Sequence, residues 1–389
     1  MHHPASALIG HSVSAIDTPA LVIDLDAMER NLHAMQAFAS AHGMRLRPHA
    51  KMHKSATLAL LQMQAGAVGV CVQKPSEAAA LVAAGVTNVY VSNEVISLQK
   101  CELLALLNKG LEAQNGQISV AVDSLLGIER LASAMATHGG ASRLDVYVEI
   151  DVGQARCGVP PGAAALPLVQ AIAQHAARTG SLQFAGLQAY HGRAQHLRSV
   201  PERREVIAKV VADVHRTTAC LAAAGFNVPL VTGAGSGTFG LEAASGVFGE
   251  LQAGSYLFMD ADYAANAADP AQPRFEHALF VKSQVMSVSS AAPAPRAVLD
   301  AGHKSHAIDS GLPRPWADHQ ADWTVGQCSD EHAVLHGSAL PALGDTVWLV
   351  PGHCDPTVNL HSHMVGVRGG LSNGVVEQII RVDARGALT

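Results

Sequence analysis

From Met44 to Tyr256 the chain repeats one unit. A short run rich in Val, Leu and Ile ends in a polar residue or glycine, and a longer Ala/Leu segment with apolar positions at helical spacing follows. The runs are Met44 to Lys51, Val68 to Gln73, Val89 to Asn93, Ile118 to Asp123, Leu144 to Asp151, Phe184 to Tyr190, Leu230 to Gly233 and Glu250 to Tyr256, eight in all. Strands that alternate with helices pair in parallel through right-handed crossovers, so eight such units predict an α/β chain built on a (β/α)8 TIM-type barrel. An open doubly wound sheet would share the alternation. In a barrel the site lies at the carboxyl ends of the strands, and reactive side chains converging there favour a catalytic mouth over a merely structural barrel. Those ends hold Lys51, Gln73, Asn93, Asp123, Asp151, Tyr190 with His191, the Gly-rich turn after Thr232, and Gly254 to Tyr256.

Outside the repeat the pattern changes. Thr18 to Leu25 reads as a strand that leads into an amphipathic helix from Asp26 to Ala41; as a ninth strand it is expected to pair elsewhere. After Pro270 the apolar runs are Ala278 to Val288, Ala297 to Ala301, Thr346 to Pro351, His363 to Arg368 and Val375 to Val382, separated by Pro, Gly and Asp without a helix of length. The expected division is a barrel over residues 26–270 and a C-terminal all-β domain over 271–389, joined by the N-terminal strand within 1–25.

Composition adds a few exclusions. The 389 residues exceed the roughly 250 that a barrel alone needs, which leaves room for the second domain. Hydrophobic residues make up 49% of the chain and aromatics 4%, so the core is aliphatic, as buried parallel strands require. A net charge of -6 without a basic block argues against a nucleic-acid partner. Met1 to Ser6 lacks a basic region followed by an apolar one, and no uninterrupted apolar segment approaches the ~18 residues of a membrane span, so the expectation is a cytoplasmic protein with no membrane partner. The six cysteines include no CxxC pair, against both a disulfide framework and a thiolate zinc site.

Four places carry candidate chemistry. Lys51 is either a solvated surface lysine or an amine at a barrel mouth. Among Arg47, His49, His53 and Lys54, partial burial and like charge would lower its pKa toward nucleophilic use. Thr232 to Thr238 is either a tight turn or an anion nest, with Ser236, Gly237 and Thr238 as donors and Gly254, Ser255 and Tyr256 facing them from the eighth run. A lysine on the first strand with phosphate donors on the seventh and eighth implies pyridoxal 5'-phosphate, with Arg156 either an ordinary loop arginine or a contact to the cofactor ring. His353 and Asp355, read at the end of a C-terminal strand, would share one side by alternation and suit a divalent ion. Cys354 would face away, and the pair could equally be structural. His196, Asp330 and His332 are loop residues that are either idle or acid-base groups, with Asp330 able to orient a histidine as base.

The stretches RPHAKMHKS around Lys51, VCVQKPSEA around Gln73, VSNEV, VEIDVGQARCGV, GLQAYHG, TGAGSG, ELQAGSYLFMDADY, SDEH and PGHCDPTVNLH span nearly the whole chain. Together they resemble the metal-activated, pyridoxal-phosphate-dependent D-threonine aldolase and D-3-hydroxyaspartate aldolase family of the alanine racemase-like fold type. The resemblance implies Lys51 as the Schiff-base lysine, Arg156 and Tyr190 as ring contacts, and Gln73, Ser236, Gly237, Thr238, Gly254, Ser255 and Tyr256 as cofactor-pocket and phosphate residues. It implies His353 and Asp355 as metal ligands, with manganese or magnesium as the ion, and His196 and Asp330 as residues near the metal and its water. Ala234 stands where the family's phosphate turn has a glycine. The implied function is cleavage of D-β-hydroxy-α-amino acids to glycine and an aldehyde by a homodimer. Related D-serine dehydratases carry cysteine two positions after the histidine; Asp355 in that place favours cleavage over the alternative, a pyridoxal-phosphate-dependent D-serine or 3-hydroxyaspartate dehydratase.

Overall fold

The computed structural model describes residues 8–290, 295–316 and 322–389, so the Met1 to Ser6 segment read for a leader lies outside the described residues. Eight parallel strands run Arg45–Leu46, Val70–Val72, Asn88–Glu94, Gln117–Val122, Leu144–Glu149, Leu182–Ala189, Val231–Gly233 and Glu250–Leu251. From the second strand to the eighth each pairs with its neighbour in sequence, and the first pairs with the eighth through Arg45–Glu250 and Leu46–Leu251. The gap between the first and second is bridged at His49–Cys71, where the Cys71 N–H donates to the Pro48 carbonyl at 2.8 Å. That bridge brings the two ends of the curled sheet together, which an open doubly wound sheet would not do.

The first run forms a shorter strand than its hydrophobicity suggests. Pro48 has no N–H to give to a ladder, and the chain turns into a 3-10 segment over Ala50–Met52 that carries Lys51. The last run likewise stops at Leu251, and Tyr256 falls in a 3-10 turn, Ser255–Leu257. Helices cover the outside. The longest, Val200–Ala223, starts at a capping box in which Ser199 Oγ accepts from the Glu202 N–H while the Glu202 side chain reaches back to the Ser199 N–H. Alternation along each strand sends Val70, Val72, Val89 and Val91 toward the helices. Cys71, Tyr90, Ala121, Tyr147 and Ala185 form a separate buried cluster in the barrel interior.

The opening strand, Ala20–Asp24, lies in a second, nine-stranded sheet. It runs antiparallel to Leu279–Ser289 and parallel to His363–Arg368. That sheet also contains Arg314–Trp316, Thr324–Cys328 and Ala333–His336, short strands with at most two buried residues each, too few to register as apolar runs. It is not purely β: Cys354–Leu360 is a helix, where a continuing strand end was expected. Among the described residues no helix is long and apolar enough to cross a membrane.

One buried carboxyl ties stability to pH. Glu242 accepts from Thr238 Oγ1 at 2.7 Å through Oε1, its Oε2 is buried without a partner, and burial pushes its pKa up to about 7. The folded chain therefore holds this proton more tightly than the unfolded one. Its favourable contribution is complete below pH 4.5 and is lost as pH rises to about 7. Glu242→Gln should leave unfolding free energy unchanged at pH 4 and raise it by on the order of 3 kcal/mol at pH 8, measured by denaturant unfolding at both pH values.

Candidate active site

At the carboxyl end of the barrel a cavity of about 230 Å³ opens among His49, Lys51, Gln73, Arg156, Tyr190, Ser236, Gly254, Ser255 and Asp355, with Ser92, Gln188, Gln252 and Tyr263 completing its wall. Lys51 comes from the first strand end and Asp355 from the last hundred residues. They meet directly, Lys51 Nζ donating to Asp355 Oδ2. Asp355 is brought there by backbone ties between its helix and the segment after the eighth strand. The Cys354 N–H donates to Asp260 Oδ2 at 3.1 Å, and the Ala261 N–H donates to the Pro351 carbonyl at 3.0 Å. Asp260 also caps its own short helix through the Tyr263 N–H, so one carboxylate organises two helix starts beside the cavity.

His353 is the N-cap of the Cys354–Leu360 helix, and Asp355 lies in its first turn. The two side chains do share a side, but through a helix start and not through strand alternation. Pro356 is tolerated in the first helical turn, and a carboxylate there is favoured by the helix dipole. His353 Nε2 lies 3.7 Å from Asp355 Oδ1, and that oxygen is buried without a hydrogen-bond partner. A buried carboxylate oxygen left unpaired beside an imidazole nitrogen fits a cation with bonds of about 2 Å to each. The Cys354 thiol is turned away toward the Met259 carbonyl, and burial pushes its pKa far up, so it offers no ligand. Among the described residues the one group of three close metal-type side chains is elsewhere in the barrel: Glu94, Asp123 and Cys157.

The expected pressure of like charge on Lys51 is absent. Arg47 is buried against Glu250, Nε to Oε1 at 3.1 Å, and Lys54 against Glu77 at 3.0 Å. Burial lowers the His49 pKa well below its usual value and takes His53 to about 4, so both imidazoles are neutral. Desolvation, the largest single influence, pulls the Lys51 amine down, but the Asp355 carboxylate together with Tyr190 and Glu77 more than offsets it and holds Lys51 above the ordinary lysine value. Asp355 in turn is raised by burial and lowered further by Lys51 and His353, ending below the ordinary carboxylate range.

The Gly-rich turn is built for close approach. A Cβ on Gly235 would sit 2.5 Å from Gln195 Oε1, and one on Gly254 would sit 2.9 Å from the His49 carbonyl oxygen. Ala234 adopts φ 67, the left-handed region that glycine favours, so the alanine at this place costs some backbone strain. Ser236 Oγ accepts from the Tyr256 N–H at 2.9 Å and ties the seventh and eighth strand ends together. These glycines and donors at one end of the cavity, with Lys51 in its wall, form a cradle that fits a phosphate-bearing aldehyde cofactor.

Not every anticipated residue reaches the cavity. Thr238 is fully buried, its hydroxyl engaged by Gln195 and Glu242, and the Gly237 N–H is taken by Gln195 Oε1 at 3.0 Å. Tyr256 is also fully buried, and its hydroxyl accepts from Gln62 at 3.0 Å; only its backbone N–H faces the turn. His196 lies beside Tyr263, ring centroids 5.4 Å apart, and its Nδ1 donates to Asp262 Oδ2 at 2.5 Å. Asp330 is outside the cavity wall: it sits on the exposed turn between Thr324–Cys328 and Ala333–His336, where its carbonyl accepts from the Lys304 N–H at 3.1 Å. The carboxylate that orients His196 is therefore Asp262, not Asp330. Ser92, Gln188 and Gln252 were missed although each lies inside a predicted run; Gln188 and Gln252 stand two places before Tyr190 and Gly254, on the same face by alternation, while nothing in the spacing marks Ser92. Gln188 is fixed from below, donating to Glu149 Oε2 at 2.5 Å and accepting from the Tyr90 hydroxyl at 2.6 Å.

Comparison with known proteins places the fold. Residues 23–262 match the family model described as the alanine racemase N-terminal domain, and residues 278–367 match the putative serine dehydratase domain. The chain is 44% identical over 387 residues to a D-threonine aldolase of an Arthrobacter species, covering 98% of this chain and 96% of the relative. It is 42% identical to a 3-hydroxy-D-aspartate aldolase of Paracoccus denitrificans, covering 98% and 95%. The crystal structure of a D-threonine aldolase from Filomicrobium marinum superposes with a TM-score of 0.90 at 44% identity, covering 98% of this chain and 99% of that one. A barrel with a lysine at its mouth and a carboxylate lent by the second sheet thus belongs to the alanine racemase-like family, in the group that holds the D-threonine and 3-hydroxy-D-aspartate aldolases.

Proposed function

We propose that this protein is a pyridoxal-phosphate- and divalent-metal-dependent aldolase that cleaves D-β-hydroxy-α-amino acids to glycine and an aldehyde. The observation that carries the reading is the meeting of Lys51 with Asp355 in one cavity, where the unpaired oxygen of Asp355 faces His353. Lys51 would hold the cofactor's aldehyde carbon. Gly254, Ser255 and the turn at Gly235 and Ser236 would hold its phosphate, while Arg156, Tyr190, Gln73 and His49 line the space left for its ring. His353 and Asp355 would hold a manganese or magnesium ion. When bound, the cofactor supplies an electron sink for the pair released from the Cα–Cβ bond, and the ion supplies a Lewis acid for the substrate's β-hydroxyl.

The chain's own part is placement and proton transfer. His196 lies behind the cavity wall against Tyr263, and its Nδ1 gives its proton to the bond with Asp262, which leaves Nε2 unprotonated and able to serve as the base for the β-hydroxyl once substrate brings the two together. Arg156 adds a fixed positive charge to the wall and offers a partner for an anionic group. With D-threonine the aldehyde is acetaldehyde, and with 3-hydroxy-D-aspartate it is glyoxylate. Part of the same reading is a homodimer located in the cytoplasm.

A panel of D-β-hydroxy amino acids assayed for glycine release, with and without a chelator, tests the proposal. Glycine together with the matching aldehyde is expected from at least one D-configured substrate and is expected to cease on chelation. Ammonia and a keto acid in place of glycine would identify a dehydratase and overturn the reading.

A further inference from the structure

The segment from Ser305 to Gly311 is fastened along the helix that His353 caps. The Ala307 N–H donates to Thr357 Oγ1 at 3.1 Å, and His361 Nε2 lies 2.8 Å from the Ser305 carbonyl oxygen. Next to His353 the two backbones nearly touch: a Cβ on Gly352 would sit 2.2 Å from the Gly311 carbonyl oxygen, and Gly311 itself takes φ +114, which a side chain would strain. These ties set Asp309 against the outer edge of the His353 ring, with Oδ2 2.7 Å from Nδ1. Ser310 Oγ donates to the same carboxylate oxygen at 3.2 Å.

We infer that Asp309 is a positioning residue for the divalent cation, fixing the His353 tautomer whose Nε2 lone pair faces the unpaired Oδ1 of Asp355. The inference rests on the metal-dependent reading above. An imidazole has two nitrogens, and only the one without a proton binds a cation. By accepting from Nδ1, Asp309 leaves Nε2 free, stops the ring from flipping and raises the basicity of the ligating nitrogen. A solvent-facing ion pair on its own contributes little to stability. A loop held at three points and passing over two glycines is more than such a pair needs, whereas a ligand ring held at one angle does need it.

Mn²⁺ titration of the pyridoxal-phosphate-loaded protein, with free ion followed by electron paramagnetic resonance, tests the role apart from activity. Asp309→Asn is expected to weaken Mn²⁺ binding by about 10- to 100-fold, while the melting temperature and the absorbance of lysine-bound cofactor stay at wild-type values. Asp309→Glu, which restores a carboxylate that can only accept from Nδ1–H, where the asparagine amide can also turn its NH2 to the ring, is expected to recover part of the affinity. Undiminished binding in Asp309→Asn, with binding lost in His353→Ala, overturns the inference and leaves the metal reading standing. Undiminished binding in His353→Ala overturns both. A loss in Asp309→Asn that is matched by a lower melting temperature and not recovered by glutamate also overturns the inference, since the residue would then be structural.

Discussion

Lys51→Ala should lose the absorbance of lysine-bound cofactor and reduce glycine release by at least about 10³-fold, the scale at which removing a covalent nucleophile is felt. No neighbouring amine can replace it. Lys54 is buried, paired with Glu77 at 3.0 Å and turned toward the carbonyls of Ala384 and Ala387. Lys51→Arg separates the two tasks the residue performs. A guanidinium keeps a cation beside Asp355 but does not condense with an aldehyde, so it should be as inactive as alanine while retaining more of the wild-type thermal stability. Absorbance titration with pyridoxal phosphate and a glycine assay on both variants check this. A Lys51→Ala protein that keeps both signals would remove the basis of the mechanism.

The barrel was legible because its signal is repetitive. Eight short runs, mostly buried and most of them rich in Val, Leu and Ile, alternate with Ala/Leu segments, and every strand of the observed ring falls within or within two residues of a predicted run. Lys51, Gln73, Tyr190, Gly254 and Ser255 followed from the same rule, since in a closed parallel ring the strand ends converge whatever the loops do. The His353–Asp355 stretch was read in the right place for the wrong local reason, because HxD has the same side-chain outcome at a helix start as on a strand.

What was illegible depends on pairings between distant residues. The expectation of a depressed Lys51 pKa counted the basic neighbours in sequence. It could not count Glu250, Glu77 and Asp355, which neutralise Arg47, Lys54 and Lys51 itself from 23 to 304 positions away. In the same way Asp262 displaced Asp330 as the partner of His196: 66 residues separate His196 from Asp262, and only the fold shows that the short helix at Ala261–Ala264 passes beside it. Thr238 and Tyr256 sit at the right positions along the chain, but their side chains are spent on Glu242 and Gln62, which no pattern of spacing reveals.

Removing the cation should be the second large effect, and Asp355 is where it can be read most cleanly. Asp355→Ala should lower glycine release by about 10²- to 10⁴-fold, the range that several kcal/mol of Lewis-acid stabilisation represents. Chelator-treated wild type should fall to a similar rate, and chelator should have no further effect on the variant. Cofactor attachment should survive the substitution. Burial lowers the Lys51 pKa and the Asp355 carboxylate is the chief influence that raises it, so without Asp355 the neutral amine becomes easier to reach. Asp355→Asn preserves the size of the side chain and a carbonyl acceptor for Lys51 but gives up the charge. It should bind Mn²⁺ more weakly than wild type and respond to added metal, where alanine would not. These outcomes are measured as glycine release against metal concentration, alongside cofactor absorbance. Full activity in exhaustively chelated wild type would separate Asp355 from any metal, and would leave its unpaired buried oxygen beside His353 without an explanation.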